Sequence, residues 1–498
     1  TADSEPFFNK LMTCSKSFLD PCPSMYLTSQ QNLVALLTYL ELRCDGKYII
    51  YYMFRGNLYM LIITKKIFAA LLFSIISHCV LSAENYVVTA DHLIDSESEE
   101  LQHELAIIIS GNKIASIVKK SSIPEDVYVI DMGDATLMPG LINAHEHPLL
   151  HENDYQTAHL KSSSAYKALI GLKTHQGLLA HGWTTIRVMG DGDVFYANQD
   201  IKKAIDNKIF VGPRITGAAH YISITGGGGD INYMSPEQNL IADGLIADGP
   251  QEIIKAIRKE IKYGSDWIKI MVTGAFMSVG DNPENVSFSP EELHAAVNEA
   301  KRHNIPVAAH AHATDGINQA VKAGVRSIEH GTYISDESIS LMVKHGTFYV
   351  PTIYVGDYYA NSDKLLAQEK NDDYYLSYRS EWLSMIEKAY RAGVRITVGS
   401  DLCGYGIDPS LCAREFATLI EAGMTPMDAV KAGTIVGAEM LGWDEHLGSI
   451  IPGKLADIIA VKGNPLEDIS SLEKPLLVIK DGKVIINKID SYSVFEKN

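Results

Sequence analysis

From Asn85 onward the chain alternates short apolar runs with segments of helical period. The apolar runs cover residues 136–144, 184–189, 214–219, 267–272, 306–311, 327–329, 347–352 and 395–399. Each is bounded by turn-forming residues and is too short for a helix, so each predicts a buried strand. Between them, residues 250–262, 289–303, 314–323 and 383–392 place apolar residues on one helical face. Gly264, Gly324 and Gly393 stand where helix-ending glycines belong. Eight strands alternating with helices predict an α/β protein with a (β/α)8 TIM-like barrel over residues 137–442. A doubly wound sheet would carry a phosphate-binding glycine fingerprint. The run Gly226-Gly227-Gly228-Gly229 lacks that spacing and a following amphipathic helix. It reads as a mobile loop over the active face.

Both ends of this region change period. Residues 86–94, 104–110 and 113–118 read as strands, as do 456–461 and 476–486, the last interrupted by the turn Asp481-Gly482. They predict a small β-sandwich domain built from 84–136 and 443–490, with the barrel inserted between its halves. Upstream, Met60 is followed by Lys65 and Lys66, the apolar run 67–76, and the small-residue exit Val80, Leu81, Ser82, Ala83. That order predicts a signal peptide over 60–83, cut near Ser82 or Ala83. The run is too short for a transmembrane helix, which needs roughly 20 apolar residues. The mature chain is thus expected to have no stable membrane span and to be exported, periplasmic or secreted. Residues 1–59 show no sustained period and read as an upstream extension rather than a domain.

Composition excludes some functions. The chain has 498 residues with 46% hydrophobic and 21% charged, at a mean hydropathy of +0.00, which is globular rather than disordered. With 43 Lys+Arg against 61 Asp+Glu the formal net charge is −18, and no basic run exceeds two residues, so nucleic acid is not an expected partner. Cys14, Cys22, Cys44 and Cys79 precede the expected cleavage point, leaving Cys403 and Cys412. Two cysteines do not make a disulfide scaffold, although an exported compartment permits one bridge between them.

The candidate chemistry sits at predicted strand ends. The first strand runs into His145-Glu146-His147, and period 2 puts both imidazoles on one face, a half-site for zinc or a similar divalent ion. Lys269 lies inside an apolar strand, where a bare ammonium is poorly tolerated. His310, His330 and Asp401 close three further strands. All six fall at the C-terminal ends of barrel strands, where barrel enzymes carry their chemistry. They read as a two-metal site: His145, His147 and Asp401 on one ion, His310 and His330 on the other. Lys269 joins the two only as a neutral amine converted to a carbamate. A hydroxide shared by the ions is the expected nucleophile, and Asp401 the group that moves its proton to a leaving amine. Tyr221, ending the third strand, is a candidate hydrogen-bond donor to the scissile carbonyl.

The segments carrying these residues are Leu137-Met138-Pro139-Gly140-Leu141-Ile142-Asn143-Ala144-His145-Glu146-His147, Gly182-Trp183-Thr184-Thr185-Ile186-Arg187, His310-Ala311-His312, Ser327-Ile328-Glu329-His330-Gly331, Gly399-Ser400-Asp401 and Pro452-Gly453-Lys454-Leu455-Ala456-Asp457. Over residues 86–484 the chain resembles the amidohydrolase superfamily, in the branch of imidazolonepropionase-like proteins and Xaa-Pro or Xaa-Arg dipeptidases. The resemblance implies a binuclear zinc barrel with carboxylated Lys269, a β-sandwich, and homo-oligomers. His312 resembles a substrate-contacting histidine of that branch. One departure stands out: relatives usually follow the second-strand Arg with Asp, whereas Arg187 is followed by Val188. The acidic charge and the resemblance favour a dipeptidase or carboxypeptidase acting on a small peptide and releasing C-terminal Arg or Lys. Asp230, and Asp281 or Glu284, are the acids expected to hold that cation. Xaa-Pro cleavage is the close alternative, followed by hydrolysis or deamination of cyclic amides; a non-enzymatic solute binder is the third class.

Overall fold

The computed structural model describes residues 39–44, 47–54, 57–64, 85–150, 154–193, 195–360, 371–402, 404 and 406–495. The chain divides into two compact units, Thr1–Ala83 and Glu84–Asn498. In the first, strands Tyr39–Cys44, Lys47–Phe54 and Asn57–Thr64 form an antiparallel meander. Its third strand runs across Met60, the expected start of the signal peptide. The apolar core of that segment, 67–76, lies outside the described residues, as does most of the expected extension.

The second unit carries parallel strands with helices between them. Leu141–Glu146, Trp183–Met189 and Arg214–Ala218 form one parallel sheet. Leu245–Ile246, Tyr221–Ser223, Ile268–Met271, Val307–Ala311, Ser327–His330 and Phe348–Val350 form another. Backbone bonds also link the two groups, at Gly217 on one side and through residues 395–398 on the other. Asp266 and Trp267 donate to the Gly217 carbonyl at 2.9 and 3.2 Å, and Ala144 N donates to Val398 O at 2.9 Å. Tyr349 N donates to Arg395 O at 2.9 Å and Thr397 N to Tyr349 O at 3.0 Å. The expected eighth strand, 395–399, is reduced to a single bridge between Tyr349 and Ile396.

The expected first strand, 136–144, is instead two strands that part at Gly140. Ala135–Pro139 pairs antiparallel with Ile458–Lys462, while Leu141–Glu146 pairs parallel with Trp183–Met189. A Cβ at Gly140 would run into the Thr184 side chain, so only glycine lets the chain change sheets here. A continuous apolar run hides such a break, because both halves are buried.

Strands from both ends of the unit build a seven-stranded and a four-stranded sheet around one apolar cluster that includes Val88, Ile107, Leu137, Ile458 and Ile479. The turn Asp481-Gly482 has φ of 49° and 69°, the left-handed pair that a tight hairpin requires. Helices Gly249–Lys262, Pro290–Arg302 and Thr314–Ala323 lie where their period placed them. Pro290–Arg302 is started by a capping box in which the Ser289 hydroxyl and the Glu292 carboxylate exchange bonds with each other's backbone.

Helix Ser164–Ala180 buries His175 completely, and neither ring nitrogen has a partner among the described residues. Burial alone pushes its pKa down to about 3, so the folded chain holds it neutral. The unfolded chain takes up a proton below its ordinary value of about 6.5, so this site withdraws stability as pH falls from there towards 3. His175→Leu should therefore stabilise the protein, by a margin that grows by roughly 1.4 kcal/mol per pH unit below 6.5. Urea unfolding of both proteins at pH 7 and pH 5 checks this; a pH-independent difference would contradict it.

Candidate active site

The parallel strands and the segments that follow them bring His147, Lys269, His310, His330 and Asp401 to one cavity of about 220 Å³, with His145 fully buried against His147 behind its wall. Leu141–Glu146 carries His145 and brings His147 just beyond it. Ile268–Met271 carries Lys269, Val307–Ala311 carries His310, and Ser327–His330 ends on His330. Asp401 follows the bridge residue Ile396 and is tied to the first strand by its N–H, which donates to the His145 carbonyl at 2.9 Å. His330 and Asp401 have φ of 69° and 51°, a left-handed backbone that non-glycine residues adopt at a cost of about 1–3 kcal/mol. Cross-strand packing holds them there.

The donor atoms converge. His145 Nε2 lies 3.2 Å from His147 Nε2, and Asp401 Oδ1 is 3.6 and 3.4 Å from those two nitrogens. Asp401 Oδ2 is 3.8 Å from His330 Nδ1, so the carboxylate spans both groups of histidines. The rings of His310 and His330 are 4.6 Å apart. His312 belongs with them: one donor atom from each of His310, His312 and His330 falls within 4.8 Å of the others. The resemblance pointed to His312 as a substrate contact; the structure sets it in the imidazole cluster as well as on the cavity wall.

Outer hydrogen bonds fix which nitrogens face inward. His145 Nδ1 donates to Glu329 Oε2 at 2.8 Å and His147 Nδ1 donates to the Gly190 carbonyl, leaving both Nε2 lone pairs in the site. His310 Nε2 donates to the Gly274 carbonyl at 3.1 Å. Burial is the first cause lowering the pKa of all five imidazoles, and the Lys269 charge pushes each the same way, His147 and His312 to about 3. Neutral, oriented imidazoles beside a carboxylate are the donor set that a divalent cation takes.

Two residues of this arrangement escaped the sequence reading. Glu329 and Arg187 are fully buried, with Arg187 Nη2 at 2.8 and 2.9 Å from the two carboxylate oxygens. Arg187 also donates to Ala144 O at 2.6 Å and to Ser327 Oγ at 2.9 Å, and its guanidinium lies 4.5 Å over the Trp267 ring. It thus ties Leu141–Glu146, Trp183–Met189 and Ser327–His330 together and holds Glu329 against His145. The signal was the one used for Lys269, a charge inside an apolar strand. Glu329→Gln should loosen His145 and weaken metal retention roughly ten- to a hundredfold, as read by chelator competition; unchanged retention would deny Glu329 that task.

Tyr221 lines the cavity with its ring 6.2 Å from that of His147, but its hydroxyl donates to Asp243, a fully buried carboxylate outside the wall. Burial raises the pKa of both groups, while bonds from Tyr221 and Gln156 pull that of Asp243 back down. Asp230, expected to contact substrate, does not line the cavity. Its carboxylate accepts from the Gly226 and Ile231 N–H groups at 2.9 and 2.8 Å and so closes the glycine loop. Asp281 likewise caps the N–H groups of Ala275 and Asn282, each at 2.8 Å, and Glu284 is exposed. Among the described residues Asp401 is the one carboxylate on the wall, which is otherwise largely apolar and aromatic: Tyr155, Met271, Phe276, Tyr359, Tyr378 and Trp382. Cys412 is buried with Sγ 3.6 Å from Glu146 Oε1; Cys403 lies outside the described residues, and the bridge between them with it.

Residues 136–485 match the amidohydrolase family. Ochratoxinase of Aspergillus niger is 32% identical over 422 residues, spanning 80% of this chain and 86% of that protein. Imidazolonepropionase of Acinetobacter baumannii is 26% identical over 385 residues, 72% and 87% of the two chains. Among solved structures, a Xaa-Pro dipeptidase with bound methionine superimposes at TM-score 0.74 with 36% identity, covering 80% of this chain and 99% of that one. A prolidase complexed with N-methylphosphonate-L-proline gives 0.73 with 28% identity, covering 81% and 100%.

Proposed function

Since the chain belongs to the amidohydrolase family, we propose that it is a metal-dependent hydrolase of the amide bond in dipeptides or similar short amides carrying bulky apolar groups. The observation that carries this reading is the convergence of His147, Lys269, His310, His330 and Asp401 on one cavity with apolar, aromatic walls, with His145 buried against His147 and Asp401. The donor set fits two divalent ions, zinc or a similar metal: His145, His147 and Asp401 would hold one, His310 and His330 the other, with His312 in reach of the second. Lys269 would join them as its carbamate. A buried ammonium whose charge bears on five imidazoles repels cations, whereas a carbamate attracts them. Bound divalent ions supply Lewis acidity towards the carbonyl and the attacking water.

The chain's own groups do the rest. Asp401 takes a proton from the attacking water and returns it to the leaving nitrogen. Glu329 and Arg187 keep His145 in one tautomer and orientation. The aromatic wall seats the flanking side chain and excludes bulk water. Release of C-terminal Arg or Lys draws no support from the wall, since Asp230 and Asp281 close loops instead and Glu284 does not line the cavity. Xaa-Pro cleavage is the second reading, favoured by the likeness to prolidase structures.

The same proposal takes the three strands of the first group, the four from Ile268–Met271 to Phe348–Val350, and the segment 395–399 as one eight-stranded barrel, supported by the bonds at Gly217, Tyr349 and Val398. It takes the two terminal sheets as a sandwich around their common apolar cluster. The pattern of residues 60–83 supports export to the periplasm or outside the cell, and the family supports a homo-oligomer. A turnover screen with dipeptides ending in Phe, Leu, Pro, Arg or Lys, alongside a lactam set, tests the function. Phe and Leu ends should exceed Arg and Lys by roughly tenfold or more in kcat/KM. Turnover confined to cationic ends, or to lactams, would refute it.

A further inference from the structure

Tyr221 is held more tightly than a packing tyrosine needs. Its ring is enclosed by three glycines: a Cβ at Gly190 would come within 2.5 Å of Tyr221 N, and one at Gly229 or Gly244 within 3.0 or 2.9 Å of the ring. Gly244 N donates to Gly229 O at 2.8 Å, so the end of the glycine run and the Asp243-Gly244 turn clasp each other around the phenol. Behind it, Asp243 accepts the phenol proton on Oδ2 and a proton of Gln156 Nε2 on Oδ1 at 2.8 Å. Gln156 is itself buried and also donates to the Asp230 carbonyl at 2.9 Å.

A phenol has one proton and two lone pairs. With the proton committed to Asp243, the oxygen keeps lone pairs only. Tyr221 then cannot be the donor to the scissile carbonyl that the sequence suggested. Its ring stands beside His147, at the reactive end of the cavity, so a substrate group near it belongs to the bond being cleaved.

We propose that Asp243 is a positioning residue that makes Tyr221 a hydrogen-bond acceptor for the N–H of the scissile amide, so that the site selects secondary amides over N-substituted ones. This rests on the amide-hydrolase reading and sharpens it, because an Xaa-Pro bond has no such N–H. Leaving a buried acceptor without its donor sets a discrimination of roughly ten- to a hundredfold.

The test measures kcat/KM for leucyl-phenylalanine and for its counterpart methylated on the scissile nitrogen, in the metal-loaded wild type, Tyr221→Phe, Asp243→Asn and the double variant. The preference for the secondary amide should fall roughly tenfold in each single variant and no further in the double. An unchanged preference, or losses that add, would overturn the proposal. Asp243→Glu keeps the charge but moves it by one methylene, and serves if Asp243→Asn does not fold. Calorimetric titration with phosphonamidates bearing or lacking the N–H reads the same contrast without turnover. If the wild type cleaves neither dipeptide, the hydrolase reading fails on these substrates while the titration still decides the role of Tyr221.

Discussion

Asp401→Asn should keep its fold and lose turnover by about a thousandfold in kcat. Asparagine tolerates the left-handed φ of 51° at this position better than most residues, so the backbone is expected to stay. Its carbonyl oxygen can replace one carboxylate oxygen towards a cation. It has no basic site for the proton of the attacking water. The two oxygens of Asp401 face different histidines, Oδ1 towards His145 and His147 and Oδ2 towards His330. The amide nitrogen must therefore turn towards one of the two groups. Steady-state kinetics beside circular dichroism check the prediction. Near-normal kcat in a folded variant would remove Asp401 from the chemistry.

The second large effect concerns Lys269. It sits in the strand Ile268–Met271, buried, and its charge bears on all five imidazoles of the site. An ammonium there opposes cation binding; a carbamate contributes two oxygens and reverses the sign. Lys269→Ala should lose bound metal and nearly all activity, a drop of at least about a thousandfold if the loss is several kcal/mol of charge stabilisation. Short carboxylic acids added to the variant should restore part of both by filling the space with an anion. Full metal occupancy and full turnover in the untreated variant would refute the bridging role.

How much of the site is legible in the sequence differs by type of interaction. The strand-end histidines and Asp401 can be read because a polar, metal-ligating side chain that closes an apolar run does not contribute to the packing of that run. Lys269 can be read because burial makes a lone charge conspicuous. The Arg187–Glu329 pair carries the same local signal, but its meaning depends on which strands lie side by side. The break at Gly140 is silent in the sequence since both halves are equally apolar. Asp230 and Asp243 illustrate the limit best. Both follow or precede glycines in loops; one satisfies loop N–H groups and the other holds the phenol of Tyr221. Only the folded backbone separates the two, because loop acids are positioned by non-local contacts rather than by period.

The central claim is that these side chains grip a pair of divalent ions on which hydrolysis depends. Elemental analysis of the purified chain, paired with dipeptide turnover before and after dialysis against a chelator, tests it directly. The expected result is about two ions per chain, lost together with activity and regained with it on adding zinc. A metal-free sample that hydrolyses dipeptides at the full rate would contradict it.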